Sequence, residues 1–214
     1  MMKCNLDMSK KFDIGYILGA LKGDGFIGKH TEKQRMIMLS VGNRTFCETF
    51  RECLFSICGR KYKVSKVKNY RYTQGFCWVV RCTIRSVVDF FENYNIYNLI
   101  GEGIDIRAGF LRGFFDAEGC SFCKYYTNRQ SYAKVVMVCN KNKKLLELCQ
   151  KLLESLELKT RKISNRTVKG DVYPLHLSIS KENLTRFKER VGFSIPYKNL
   201  NLENCLNTYG GRFL

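Results

Sequence analysis

Apolar residues recur every three or four positions between 44 and 58, at Phe46, Phe50, Cys53, Leu54 and Ile57, with charged and polar residues between them. The spacing returns between 143 and 156, at Leu145, Leu148, Cys149, Leu152, Leu153 and Leu156. A period near 3.6 that draws one apolar stripe along a polar cylinder predicts two amphipathic helices. Other stretches alternate with a period of two. Trp78, Val80, Cys82 and Ile84 fall on one side of a strand over 78–85, with Arg81 and Thr83 on the other. Over 173–180, Tyr173, Leu175, Leu177 and Ile179 oppose His176 and Ser178 in the same way. A short helix is expected after each strand, over 86–94, where Ser86 and Asp89 have capping-box spacing, and over 181–190.

These segments come in the same order twice, so the chain reads as an internal repeat. Residues 13–25, DIGYILGALKGDG, and residues 107–119, RAGFLRGFFDAEG, are apolar with a small residue at every fourth position. The small residues are Gly15, Gly19 and Gly23 in one copy and Gly109, Gly113 and Ala117 in the other. Both copies end in an acid and a glycine, Asp24-Gly25 and Glu118-Gly119. Downstream, Asn43-Arg44 resembles Asn140-Lys141. Each half reads helix, hairpin, helix, hairpin, helix (αββαββα), an α+β class. The halves cover 1–94 and 105–190, and the joint over 95–104 is broken by Gly101 and Gly103. Hairpin turns are expected near Thr31–Gln34, Tyr72–Gly75, Thr127–Gln130 and Lys169–Asp171. Residues 191–214 form a C-terminal extension whose secondary structure the pattern leaves open.

Glycine inside a helix costs about 1 kcal/mol relative to alanine, so its repetition needs a reason. A stripe of small residues lets a second such helix approach closely, which predicts packing of 13–23 on 107–117 about a pseudo-two-fold axis. That pairing would bring Asp24 and Glu118 together at the negative ends of two helix dipoles. Two converging carboxylates become favourable when divalent cations bind, and carboxylate, carbonyl and water oxygens suit Mg²⁺. Gly23 and Ala117 are then the expected carbonyl donors. A helix-ending turn is the ordinary reading of one acid–glycine pair; two copies on the same glycine-spaced helix favour the metal.

Charge narrows the partner. Lys and Arg number 37 against 19 Asp and Glu, a formal net charge of +18. Such an excess opposes compactness, and a polyanion is the simplest reason to carry it. Candidate contacts lie along the expected strands. Lys61, Lys63, Asn69 and Arg71 share a face in the first half, with Lys29, Arg81 and Thr83 on neighbouring strands. In the second half they are Arg161, Asn165, Thr167 and Lys169, with Lys124, Tyr126, Asn128 and Arg129 at a hairpin and His176 and Ser178 beside them. Basic β-ribbons fit the major groove of duplex DNA. No apolar run is long enough to span a membrane, and the start of the chain lacks a signal-peptide core, so an intracellular protein is expected, cytoplasmic in a prokaryote and organellar in a eukaryote. The 11 cysteines are an odd number and read as small buried hydrophobes; Cys120 and Cys123 lack a second ligand pair for zinc. Residues 23–30 come near a phosphate-binding loop, but His30 stands where Ser or Thr is needed and the segment follows a helix.

LGALKGDG (18–25) and LRGFFDAEG (111–119) resemble the two motifs of the LAGLIDADG homing endonucleases, most closely the single-chain, archaeal intron-encoded type. The resemblance covers about residues 12–190. It implies two sheets forming a saddle over DNA and a monomer that cuts both strands of a long, nearly asymmetric target. Cutting would occur across the minor groove and leave four-base 3′ overhangs. It also implies that Asp24 and Glu118 bind Mg²⁺, with Mn²⁺ as a substitute. Asn43 and Asn140 would order water, and Arg44 and Lys141 would stabilise developing charge. Asn43 and Asn140 also have the residue type of helix N-caps. Arg44 stands where the family more often has Lys and cannot lose its proton, and Lys22 stands where the motif has Asp. An RNA-binding intron maturase and a non-cleaving DNA-binding regulator are the alternatives on the same fold.

Overall fold

The computed structural model describes residues 5–31, 34–69, 73–164 and 172–209. It divides into two compact units, Met1–Ala117 and Glu118–Leu214. The first holds α1 (Lys11–Lys22), β1 (Gly25–Thr31), β2 (Gln34–Val41), α2 (Arg44–Cys58), β3 (Ser65–Lys68), β4 (Phe76–Cys82) and α3 (Arg85–Asn93). A 3₁₀ helix over Ile96–Gly101 leads into α4 (Ile104–Glu118), whose last residue belongs to the second unit. The division falls at the end of α4 because that helix, the first of the second repeat, packs along α1.

The strands of the first unit form an antiparallel sheet in the order β1-β2-β4-β3. Ile37, Leu39 and Val41 stand opposite Cys82, Val80 and Trp78. All but Trp78 are buried, which fixes that face to the core. The apolar stripe of α2 is buried at Phe46, Phe50, Cys53, Leu54 and Ile57, as its period requires. Asn43 caps this helix by accepting the Phe46 N–H at 3.0 Å, and Gly59, at φ 63°, ends it in the left-handed region.

The second unit holds β5 (Gly119–Tyr126), β6 (Ser131–Asn140), α5 (Lys143–Ser155), β7 (Tyr173–His176), α6 (Lys181–Arg190) and α7 (Pro196–Asn207). Its sheet has the order β5-β6-β7, and β5 and β6 meet at a 3₁₀ turn over Thr127–Arg129 with Gln130 at φ 45°. Val136, Val138, Leu175 and Leu177 are buried with the α5 stripe. Asn183 of α6 is buried yet satisfied: its amide donates to the carbonyls of Lys159 and Ser178, and its oxygen accepts from the Lys159 N–H.

Several expectations need correction. The helix after β4 has its N-cap at Ile84, two residues before the Ser86 of the expected capping box and without a side-chain cap, and Asp89 pairs with Arg85 at 3.5 Å. Burial of Val87, Val88 and Phe91 sets this helix rather than its cap. The strand over 173–180 is shorter, ending at His176, and just beyond it Leu177 forms a bridge with Thr160. The C-terminal extension contains a helix: α7 lies on β5, where Ser121 Oγ donates to the Lys198 carbonyl and Asn201 donates to the Ser121 carbonyl at 3.0 Å.

Candidate active site

The feature that organises the first unit is the contact between α1 and α4. An added Cβ on Gly15 would stand 2.1 Å from the Ile106 carbonyl oxygen, and one on Gly19 would stand 2.0 Å from that of Phe110. Reciprocally, Gly109 meets the Phe12 carbonyl at 2.0 Å and Gly113 meets that of Tyr16 at 2.1 Å. The partners advance together along both helices, so the helices run parallel with backbone against backbone. Every residue from Ile14 to Leu21 is buried. A polar tie crosses the contact, where the Tyr16 hydroxyl donates to buried Asp116 at 2.8 Å. Arg112 stacks over Phe12, 5.0 Å from the ring centre. Asp116 was not among the sequence-derived candidates. Its aspartate type gave no signal, because the tie depends on Tyr16, 100 residues away.

Both motif acids follow from these helices. Gly23 is the C-cap of α1, and Asp24 stands exposed in the turn between α1 and β1. Glu118 is the last residue of α4 and is half-buried. Asn140, at the end of β6, donates its amide to Glu118 Oε1 at 3.1 Å, and its own oxygen accepts the Asn142 N–H at 2.9 Å. Glu118 is therefore tied to the turn that opens α5. Among the described residues no group of three or more His, Cys, Asp or Glu gathers to hold a metal. Burial pushes the thiols of Cys120 and Cys123 up, away from the thiolate that a zinc ligand needs.

The matched asparagines of the sequence reading are not equivalent. The register pairs Gly25 with Leu39 and Gly119 with Val138. Counting from those pairs, Asn140 corresponds to Val41, and Asn43 corresponds to Asn142. The caps agree, since Asn142 accepts the Leu145 N–H at 3.1 Å as Asn43 accepts that of Phe46. The basic partners move likewise, so Arg44 corresponds to Lys143 and Lys141 to Gly42. Arg44 pairs with Glu48 at 2.8 Å and stacks over Trp78 at 5.0 Å. Lys141 is exposed.

The candidate nucleic-acid contacts divide. Lys29, Arg81, Thr83, Lys124, Tyr126, Asn128, Arg129 and Arg161 are exposed, and His176 and Ser178 are half-buried. Burial, aided by the charge of Arg161, holds the His176 imidazole below its ordinary pKa. Lys61 and Lys63 are exposed but precede β3 and so lie outside its face; the exposed lysines of the strand are Lys66 and Lys68. Asn69 follows β3, its amide 3.8 Å from Cys77 Sγ. Arg71, Asn165, Thr167 and Lys169 lie outside the described residues. No helix among the described residues is long and apolar enough to cross a membrane.

Comparison with known proteins agrees with this architecture. Residues 105–192 match the model of the LAGLIDADG-like domain. The uncharacterized protein MJ0314 of Methanocaldococcus jannaschii is 31% identical over 158 residues, covering 72% of this chain; the chain spans 57% of that protein's length. The crystal structure of I-DmoI in complex with DNA and Mn superposes with a TM-score of 0.62 at 18% identity, covering 86% of this chain and 97% of that one. Another I-DmoI structure was obtained with its target DNA in the presence of Mg. The homing endonuclease I-WcaI bound to its DNA recognition sequence gives a TM-score of 0.60 at 15% identity, covering 88% and 86%. This chain contains a LAGLIDADG-like domain over residues 105–192 and carries, over most of its length, the fold of the LAGLIDADG homing endonucleases.

Proposed function

We propose that this chain is a site-specific endonuclease of double-stranded DNA that hydrolyses phosphodiester bonds with a divalent metal, cutting across the minor groove to leave four-base 3′ overhangs. The observation that carries this reading is the acid at the end of each glycine-faced helix, in a chain with a net charge of +18. Four helix glycines hold α1 against α4 at a propensity cost of about 1 kcal/mol each, and a protein that only bound DNA would have no use for acids following both helices. The DNA in the structures of proteins with this fold supports the same substrate. The repeat within one chain supports action as a monomer on a poorly palindromic target.

The donor set fits Mg²⁺ or Mn²⁺, because Asp24, Glu118 and the carbonyls of Gly23 and Ala117 offer hard oxygens and no sulfur or imidazole. When bound, the metal would supply an acidified water and stabilise the leaving 3′ oxygen. The protein groups do the rest. Asn140 acts as a positioning residue, holding one Glu118 oxygen in a fixed direction. Arg44 offers a planar guanidinium cation to the phosphate, whereas Lys141 and Lys143 offer mobile ammonium groups. The exposed residues on and beside the two sheets, Lys29, Arg81, Thr83, Lys124, Tyr126, Asn128, Arg129 and Arg161, bind the duplex, together with His176 and Ser178. Asn69, Lys61 and Lys63 add contacts in the first half, and Arg71, Asn165, Thr167 and Lys169, outside the described residues, are proposed contacts on their residue type and spacing alone.

Incubation with Mg²⁺ and a plasmid carrying the intronless host-gene junction tests the reading. Linearisation at one site supports it. Binding of the duplex without linearisation would instead identify a DNA-binding regulator, and tighter binding to intron RNA than to any duplex would identify a maturase.

A further inference from the structure

The register of β5, β6 and β7 sorts their side chains onto two faces. Ser121, Val136, Val138, Leu175 and Leu177 are buried on one. On the other, Phe122 stands opposite Val135, and Met137 stands opposite His176. Phe122 is 39% exposed, and Val135, Met137 and His176 are only partly covered. The centre of this face is therefore apolar, in a chain that is otherwise strongly basic. Its margin is not apolar: Lys124, Arg129 and Arg161 are exposed, and the Lys124 ammonium lies 5.3 Å from the centre of the Tyr126 ring.

An apolar centre inside a cationic margin matches one ligand surface closely. Phosphates flank the major groove of a duplex, and the only apolar group on its floor is the thymine C5 methyl. Cytosine, adenine and guanine present donors and acceptors there, which would lose water against Phe122, Val135 and Met137 without a partner. Arg81 of the first unit differs. It is exposed directly opposite Met38, and its guanidinium suits a guanine edge.

We infer that the open face of the β5-β6-β7 sheet selects duplexes by thymine methyl groups in the major groove, with Phe122, Val135 and Met137 as the specificity-determining side chains. The inference rests on the endonuclease reading only for its substrate, duplex DNA.

Exchange of thymine for uracil removes that methyl and nothing else. The full chain is used with EDTA to prevent cleavage, and binding duplexes are selected from a randomised pool. The recovered duplexes are then resynthesised with deoxyuridine in place of thymidine. The expected loss is about fourfold for each contacted methyl, so roughly tenfold or more where two are contacted. Phe122→Ser and Val135→Thr change half-exposed positions, and each should bind the thymine and uracil duplexes more nearly alike than the parent does. Equal affinity of the parent chain for both duplexes would overturn the inference while leaving duplex binding intact. Failure to bind any duplex would overturn the substrate reading itself.

Discussion

Gly19→Ala isolates the contact on which the candidate site is built. In an exposed helix interior this exchange would stabilise by about 1 kcal/mol. Here the new Cβ would stand 2.0 Å from the Phe110 carbonyl oxygen and 2.7 Å from the Phe114 nitrogen. Both are backbone atoms of a buried helix, so no side chain can swing aside. Restoring an ordinary carbon–oxygen contact moves α1 and α4 apart by more than ~1 Å and opens gaps along their other close contacts, at Gly15, Gly109 and Gly113. Overpacking of a core costs about 1–3 kcal/mol, and this case belongs at the upper end because backbone must move. After the propensity gain, a net loss of about 2 kcal/mol remains, or roughly 4–8 °C in Tm for a chain of this size. Gly101→Ala is the control, since a Cβ there meets nothing within 4 Å, and it should change stability by less than ~0.5 kcal/mol. Thermal and urea unfolding of both variants check the argument. A Gly19→Ala protein as stable as the parent would refute the backbone-to-backbone contact.

Asp24→Asn and Glu118→Gln should each abolish double-strand cleavage while duplex affinity stays within about tenfold, measured by plasmid linearisation and by binding without metal. Asn140→Ala should slow cleavage without weakening duplex binding, because it removes the hydrogen bond that orients Glu118 Oε1, whereas Val41→Ala removes no polar contact and should act through stability alone. Binding to a duplex should fall with salt at a slope of log K against log salt near −7 if about 8 phosphates are contacted. His176 contributes a pH dependence of known sign. Its folded pKa lies below the ordinary 6.5, so the unfolded chain binds the proton more readily. Stability is then full above about 6.5 and falls as pH drops through the folded value, and His176→Gln should remove that component from a pH series of denaturation midpoints.

Much of this architecture could be read from the chain because burial imposes a period. The stripes of α2 and α5 and the alternation of β4 are direct records of a buried face. In α1 every residue from Ile14 to Leu21 is buried, and in α4 both Phe114 and Phe115 and the glycines beside them are, so a single stripe does not stand out, and the glycine spacing carried the information instead. The motif acids were legible as the ends of those helices. Asn140 was misaligned because the Asn–basic pair resembles Asn43-Arg44, whereas pairing of β5 with β6 sets the true correspondence. Helix α7 escaped because it has no stripe: Leu202 and Cys205 are buried, but Tyr197 and Leu200 are each 57% exposed, and Lys198 is buried. The partner it covers is β5, which is distant in sequence. Lys61 and Lys63 alternate correctly for a strand, but the hydrogen-bonded ladder of β3 begins only at Ser65.

The central claim is metal-dependent scission by the two motif acids. Its most direct test is a duplex library containing the intronless junction, incubated with the full chain and Mg²⁺, with every newly formed end sequenced. The account predicts paired ends at a single site, offset to leave four-base 3′ overhangs, and no such ends with EDTA or with the Asp24→Asn, Glu118→Gln double variant. Ends formed equally by the double variant, or none above background from the parent chain, would contradict it.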